Sequence, residues 1–193
     1  MGFLSVLSFA HHLISERIQP GDHAVDATAG TGIDTLFLAK QVGRKGHVYA
    51  FDVQEEALKL TKARLAREQD VPLASLSLLH HSHDQMQAYL PAAIYGRLAA
   101  VMFNLGYLPT EGSDRSTITE SSSTLAALEV ALSLLKPRGI ITAVLYPGHA
   151  GGDLEATAVT EWATSLPQVQ AQSIVYRQLQ RMDAPYVIAI EKR

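Results

Sequence analysis

The chain has 193 residues, 47% of them hydrophobic, and carries 16 Lys and Arg against 19 Asp and Glu, a formal charge of -3. That is enough apolar material for one well-buried domain and short for two, so residues 1–193 are expected to form a single domain. The acidic balance lacks the overall basic footprint of a nucleic-acid domain, and the absence of cysteine excludes disulfides, thiolate metal sites and a cysteine nucleophile, in keeping with a cytoplasmic location.

Residues 3–18 form an apolar run broken by His11, His12, Ser15 and Glu16. Without the basic start or cleavage site of a signal peptide, the run reads as an amphipathic helix. No other segment offers the roughly 20 apolar residues that a bilayer span needs, so no membrane association is expected. Gln19-Pro20-Gly21-Asp22 then turns the chain into a first strand, His23 to Ala27.

The stretch Val25-Asp26-Ala27-Thr28-Ala29-Gly30-Thr31-Gly32-Ile33-Asp34-Thr35 reads as strand, glycine turn and helix. Exposed backbone N–H groups and a helix N-terminus suit an anionic group such as a pyrophosphate or a carboxylate. The dinucleotide pattern requires a third glycine where this chain has Thr35, which argues against a nicotinamide oxidoreductase. Asp26 and Asp34 flank the turn and would repel a pyrophosphate, but they can pair with an ammonium group. S-adenosylmethionine carries both ammonium and carboxylate and fits better. A simpler expectation for Thr31 and Asp34 is a loose capping box at the start of the helix.

Gly46 to Asp52 reads as the second strand, and its terminal acid lies about 20 residues beyond Gly32, the spacing that puts a carboxylate on a ribose hydroxyl. Asp52 as a plain helix cap is the structural alternative. The helix that follows, from Gln54 to about Gln69, is two-faced. Leu76 to Leu79 is a third strand leading into His80-His81-Ser82-His83-Asp84. Three histidines in four residues invite a metal reading, but strand neighbours point to opposite faces and no further ligand group follows, so no metal site is expected. Ser82, His83 and Asp84 fall on the ligand edge of an open α/β sheet, where they can meet the adenine. Asp84 with Gln87 also reads as a helix cap.

Leu98 to Asn104 is the fourth strand. It stops at a polar residue before Leu105-Gly106-Tyr107-Leu108-Pro109 and a long hydroxyl-rich loop to about Ser121, of a length more typical of a functional lid than of a connection. Thr124 to Leu135 is helical, Lys136-Pro137-Arg138-Gly139 turns, and Ile140 to Tyr146 is strand five. Pro147-Gly148-His149-Ala150-Gly151-Gly152 forms a second loop at the same edge, followed by a helix from Asp153 to Ser165. Val169 to Tyr176 and Tyr186 to Glu191 leave no room for a helix between them and are expected as an antiparallel pair at the sheet's end. The architecture expected is α/β, a mostly parallel sheet of about seven strands with the last antiparallel and helices on both faces.

On these residues the chain resembles class I S-adenosylmethionine-dependent methyltransferases with a Rossmann-like fold. More narrowly, it is similar to the small bacterial family labelled rRNA methylases, which includes the tRNA 5-aminomethyl-2-thiouridine methyltransferase of the YtqB/MnmM type. The resemblance rests on the glycine-loop stretch together with His47-Val48-Tyr49-Ala50-Phe51-Asp52-Val53-Gln54, Ser82-His83-Asp84, Phe103-Asn104-Leu105-Gly106-Tyr107-Leu108-Pro109, Tyr146-Pro147-Gly148-His149 and Ile188-Ala189-Ile190-Glu191-Lys192. It covers nearly the whole chain. Departures are Gly30-Thr31-Gly32-Ile33 where the family commonly has Gly-Asn-Gly-His, Thr110-Glu111-Gly112-Ser113 after the proline, and Pro147.

The resemblance implies a cofactor set of Asp26, Thr28, Gly30, Gly32, Asp34, Thr35, Asp52, Gln54, Ser82, His83, Asp84 and Asn104. It also implies a catalytic set of Asn104, Tyr107 and His149. Asn104 with Tyr107 has the end residues of the Asn-Pro-Pro-Tyr loop of amino-methyltransferases: the amide oxygen takes an amine N–H and the ring stacks on the base. His149 is the candidate base for an alkylammonium. The acceptor implied is an aminomethyl group on a wobble uridine, with the anticodon region of tRNA as partner. Arg97, Arg115, Lys136, Arg138, Arg177 and Arg181 are candidates for a local basic patch. Methylation of rRNA or a small molecule, and a non-catalytic cofactor-binding module, are the competing readings, and the sequence is compatible with a homodimer.

Overall fold

Parallel strands covered on both faces must be apolar at nearly every position. The central strands have that character, as Ala99-Ala100-Val101-Met102-Phe103 shows. The computed structural model describes residues 2–68, 71–106, 121–148, 152–181 and 183–193. In chain order its elements are α1 (Val6–Ser15), β1 (His23–Asp26), α2 (Ile33–Val42), β2 (His47–Phe51), α3 (Glu55–Leu65), β3 (Ser75–Leu79), α4 (Met86–Tyr89), β4 (Leu98–Leu105), α5 (Ser121–Leu134), β5 (Leu135–Leu145), α6 (Gly152–Ser165), β6 (Ala171–Tyr176) and β7 (Tyr186–Lys192).

The seven strands form one sheet in the order β3-β2-β1-β4-β5-β7-β6. The first five are mutually parallel, and β7 runs antiparallel to both β5 and β6. The period of two divides the strand residues between two cores. Val25, Tyr49, Phe51, Val101, Phe103, Ile141 and Ile188 point to the face covered by α4, α5 and α6. Ala24, Val48, Ala100, Met102, Val144 and Val187 point to the face covered by α1 and α2. Parallel crossovers bring every βα turn to the same edge, so the ends of β1, β2, β3 and β4 share one rim.

Several expected boundaries change. The N-terminal helix is Val6–Ser15 rather than 3–18, because Ser5 caps it, its hydroxyl accepting from Ser8 N at 3.1 Å. The turn at Lys136–Gly139 is absorbed into β5 as a bulge: Leu135 stays paired with Leu98 and Ile140 with Ala100, and Arg138 takes a φ of 63° within it. The antiparallel pair is present, but β7 is interior and β6 is the edge. Burial follows that order, since Val187 to Ile190 are buried whereas Ile174 is 47% exposed. Among the described residues no helix is long and apolar enough to cross a membrane.

The position of β7 is testable by truncation. Ile188→Ala opens a cavity in the core between the sheet and the helices that cover this face and should cost about 2–5 kcal/mol, whereas Ile174→Ala on the edge should cost less than about 1 kcal/mol. Urea unfolding of the two variants measures the difference, and equal losses would contradict the strand order.

Candidate active site

The rim is built first by the turn after β1. Gly30 and Gly32 adopt φ of 52° and 78°, and a Cβ on Gly32 would come within 2.7 Å of the Thr61 Cα. Glycine is therefore required both for the turn and for the close approach of α3. The loop is pinned from that side, with Arg64 Nε donating to the Thr31 carbonyl at 2.6 Å and Thr61 Oγ1 to the Gly30 carbonyl at 3.3 Å. Gly32 is itself the N-cap of α2, with no side-chain cap. The capping box expected of Thr31 and Asp34 is thus not formed, because the left-handed glycine starts the helix one residue later and Asp34 turns elsewhere.

Asp26 is fully buried. Its Oδ1 accepts from Thr28 N at 3.1 Å and its Oδ2 from Thr35 Oγ1 at 2.6 Å, so Thr35, also fully buried, fastens α2 to β1. Burial, and then the charge on Asp34, push the Asp26 carboxyl up to about 7. Asp52, at the end of β2, receives Gly30 N on Oδ2 and Gln54 N on Oδ1, both at 2.9 Å. It braces the glycine loop across the gap between β1 and β2, while Gln54 occupies the N-cap position of α3. Burial raises the Asp52 carboxyl as well, and each of its oxygens retains a lone pair for a further donor.

Asp34 is 6% exposed and sits between two partners. His11 Nε2 of α1 lies 2.5 Å from its Oδ1, and Asn104 Nδ2 donates to its Oδ2. The Asn104 backbone N–H donates to Thr28 Oγ1 at 2.7 Å, latching the end of β4 to the glycine loop. A carboxylate offers only lone pairs, so the Asn104 amide must present its NH₂ to Asp34. Its Oδ1 is buried with no partner.

The histidine run disperses. His80 Nε2 meets the Val53 carbonyl at 2.9 Å, and His81 stacks on Tyr89 at 3.6 Å. His83 is buried edge-on against Phe103 at 5.7 Å, where burial lowers its pKa. Ser82 leads into the short turn His83–Gln85 without a side-chain cap. The cap expected of Asp84 with Gln87 is not formed, and buried Asp84 Oδ1 and His83 Nε2 both lack partners. Tyr107 and His149 lie outside the described residues.

Two residues at this rim have no place in the predicted set. His11 stacks on Phe37 at 3.9 Å with rings 2° from parallel while it holds Asp34. Its sequence signal was a polar ring three residues before Ile14 on the apolar face of α1. Tyr146, just past β5, is raised in pKa by burial and by Asp34. It marks the wall opposite Gly106, whose Cβ position lies 3.4 Å from the Tyr146 ring.

Three carboxylates and a glycine turn at the rim of a sheet in which, among the described strands, β7 alone is reversed define a Rossmann-like class I methyltransferase. The chain belongs to the family described as "Putative rRNA methylase", whose pattern matches residues 48–191; the ubiE/COQ5 methyltransferase pattern matches residues 5–88. Among known proteins, the chain is 37% identical over 95% of its length, and 68% of the relative's, to the chloroplastic tRNA (mnm(5)s(2)U34)-methyltransferase of Arabidopsis thaliana. A crystal structure from Clostridium thermocellum, described as a "putative rRNA-methylase", superposes with a TM-score of 0.90 at 34% identity, covering all of both chains. A protein from Streptococcus mutans described as "a putative methyltransferase", in complex with SAH, superposes with a TM-score of 0.86 at 30% identity, again over all of both chains.

Asp26 gives the site a pH signature. Its carboxyl rises from 3.8 to about 7 on folding, so within that window the native state holds a proton that the unfolded chain has released. Its contribution to stability therefore falls as pH rises from about 4 to about 7. Asp26→Asn has no such proton, and its amide can donate to Thr35 while its oxygen accepts from Thr28. Wild type should lose stability relative to Asp26→Asn across that window in urea unfolding, and parallel pH curves would contradict the raised carboxyl.

Proposed function

We propose that this protein transfers a methyl group to the aminomethyl nitrogen of 5-aminomethyl-2-thiouridine at the wobble position of tRNA. The observation that carries the reading is the Asn104 amide oxygen, buried and without a partner at the rim where Asp26, Asp34 and Asp52 meet. The identity to the Arabidopsis wobble-uridine enzyme over almost the whole chain supports the acceptor.

S-adenosylmethionine is the cofactor that fits these residues, and when bound it supplies a methyl group on a positively charged sulfonium. Buried acids favour a cationic ligand, because a carboxylate out of water is costly until an opposite charge or donors meet it. Asp52 keeps lone pairs for the ribose hydroxyls, and His83 Nε2 with Asp84 Oδ1, both partnerless, provide one donor or acceptor each for the adenine edge. Gly30 and Gly32 keep the loop low enough for close approach.

The chain's part in the reaction is mainly positioning. Asn104 Oδ1 accepts one N–H of the acceptor amine, which turns the nitrogen lone pair toward the methyl carbon. With S-adenosylmethionine held at Asp26, Asp34 and Asp52, that lone pair would face the side from which the cofactor supplies its methyl group, and Asn104 Oδ1 would keep the amine so turned while the methylated nitrogen loses its extra proton. Tyr107 stacks on the uridine, and His149 takes the proton that an alkylammonium must lose before it reacts. The anticodon region is presented unstacked, as single-stranded RNA is commonly read.

Nucleoside mass spectrometry of tRNA from a strain lacking the gene tests the acceptor. 5-Aminomethyl-2-thiouridine should accumulate and its methylated product disappear; an unchanged nucleoside profile would overturn the assignment and favour rRNA or a small molecule.

The role of Asn104 has its own test. Asn104→Ala should lower kcat by about 10²-fold or more while changing S-adenosylmethionine affinity much less, because one positioned polar group acts mainly in the transfer step. A variant that melts earlier yet methylates at the wild-type rate would reduce Asn104 to a turn residue.

A further inference from the structure

An asparagine amide is nearly symmetric in shape, and half a turn about its last bond exchanges acceptor for donor. With the oxygen forward, Asn104 takes an N–H from the amine and leaves the lone pair free. With the NH₂ forward, it donates to that lone pair and blocks the attack. What holds the amide in one orientation therefore bears directly on the rate.

We propose that His11, reaching from α1, is a positioning residue that acts through Asp34 to fix the Asn104 amide with its oxygen toward the acceptor. This rests on the reading of Asn104 as the acceptor of an amine N–H. The chain of contacts is continuous. His11 Nε2 lies 2.5 Å from Asp34 Oδ1, the other carboxylate oxygen receives Asn104 Nδ2, and Asn104 Oδ1 is left buried without a partner. A flipped amide would set its oxygen against a carboxylate oxygen, with no hydrogen between them. Asp34 can enforce that only while it cannot rotate away, and His11 holds its far oxygen. His11 is held in turn by the Phe37 ring, 3.9 Å away and 2° from parallel. The latch from Asn104 N to Thr28 Oγ1 at 2.7 Å fixes the backbone but leaves the amide free to turn, so the orientation falls to Asp34 and His11.

The arrangement also gives α1 a function. The helix packs on β5 and β7, and Ala10 and Ile14 are buried beneath it. His11 is the residue beside them that reaches the reaction rim. A histidine serving only to neutralise Asp34 would act on cofactor binding and stability; one that orients Asn104 acts on the transfer step and only while Asn104 is present.

The test is a double-mutant cycle on full-length protein, read as single-turnover methylation of tRNA from a strain lacking the gene, with cofactor affinity by calorimetry and melting temperature on the same preparations. His11→Ala should slow transfer by about tenfold with S-adenosylmethionine affinity changed less than about twofold. His11→Gln, which keeps a donor for Asp34, should recover most of the rate, and His11→Leu, which keeps bulk alone, should not. The variant carrying both His11→Ala and Asn104→Ala should be no slower than Asn104→Ala. Should His11→Ala fail to fold, the Gln and Leu variants make the same comparison. Fully additive losses, a wild-type rate in His11→Leu, or an effect confined to cofactor affinity would each overturn the proposal. A wild-type protein that binds cofactor but leaves this tRNA unmethylated would instead defeat the functional reading, and the proposal with it.

Discussion

Taking a carboxylate out of water is costly unless donors or a cation meet it, and three carboxylates converge where β1 and β2 end. Asp26 meets the cost with one backbone and one hydroxyl donor, Asp52 with two backbone donors, and Asp34 with a histidine and an amide. These bonds are also the joints of the rim. Asp26 ties β1 to α2, Asp52 ties the glycine loop to the entry of α3, and Asp34 ties α1 and β4 to α2. The demand for donors around buried acids thus fixes the relative placement of five elements. It leaves an anionic rim suited to a ligand with positive charge.

The two sides of the rim are organised differently. On the side of β2 and β3, backbone amides meet Asp52, and the partnerless atoms belong to His83 and Asp84. On the side of β4 and β5, side chains meet side chains, from His11 through Asp34 to Asn104, with Tyr146 behind. A cofactor shared by many enzymes needs only the first kind of surface, because backbone geometry repeats wherever the fold does. Choice of acceptor needs the second, where a particular atom must face a particular way.

Local features of the site were legible in the sequence. Gly30, Gly32 and Asp52 stand out because a turn, a helix start and a strand end lie within about 20 residues of one another, and Asn104 because it interrupts an apolar strand, one residue before β4 ends at Leu105. His11 was not legible as a site residue: helical periodicity places it near the apolar face but cannot say that α1 lies beside α2, 23 positions further on. Thr35 is among the cofactor residues that the resemblance implies, and spacing alone did not show that its buried hydroxyl donates to Asp26. The strand order at the sheet's end was half legible. Pairing of β6 with β7 follows from the short connection, but which is outermost depends on burial, and the signal was present. Tyr186-Val187-Ile188-Ala189-Ile190 is apolar throughout, as a strand covered on both faces must be, whereas Ala171-Gln172-Ser173-Ile174-Val175-Tyr176 carries Gln172 and Ser173 among its apolar residues.

The insertion of β7 between β5 and β6 bears on how the chain assembles. β6 precedes β7 in sequence yet, among the described strands, pairs with β7 alone, so it cannot join the sheet before β7 does. A strand threaded late between two fixed neighbours would have to form both ladders at once. β6 and β7 are close in sequence and antiparallel, however, and such hairpins form locally within about 1–10 μs. The economical route closes this ribbon first and then docks it on the waiting edge of β5, with the slower, long-range pairing concentrated in that step. Until then Ile140 to Leu145 presents an open apolar edge of the kind on which other chains add, so the speed of ribbon docking governs how long the nascent sheet is exposed to aggregation.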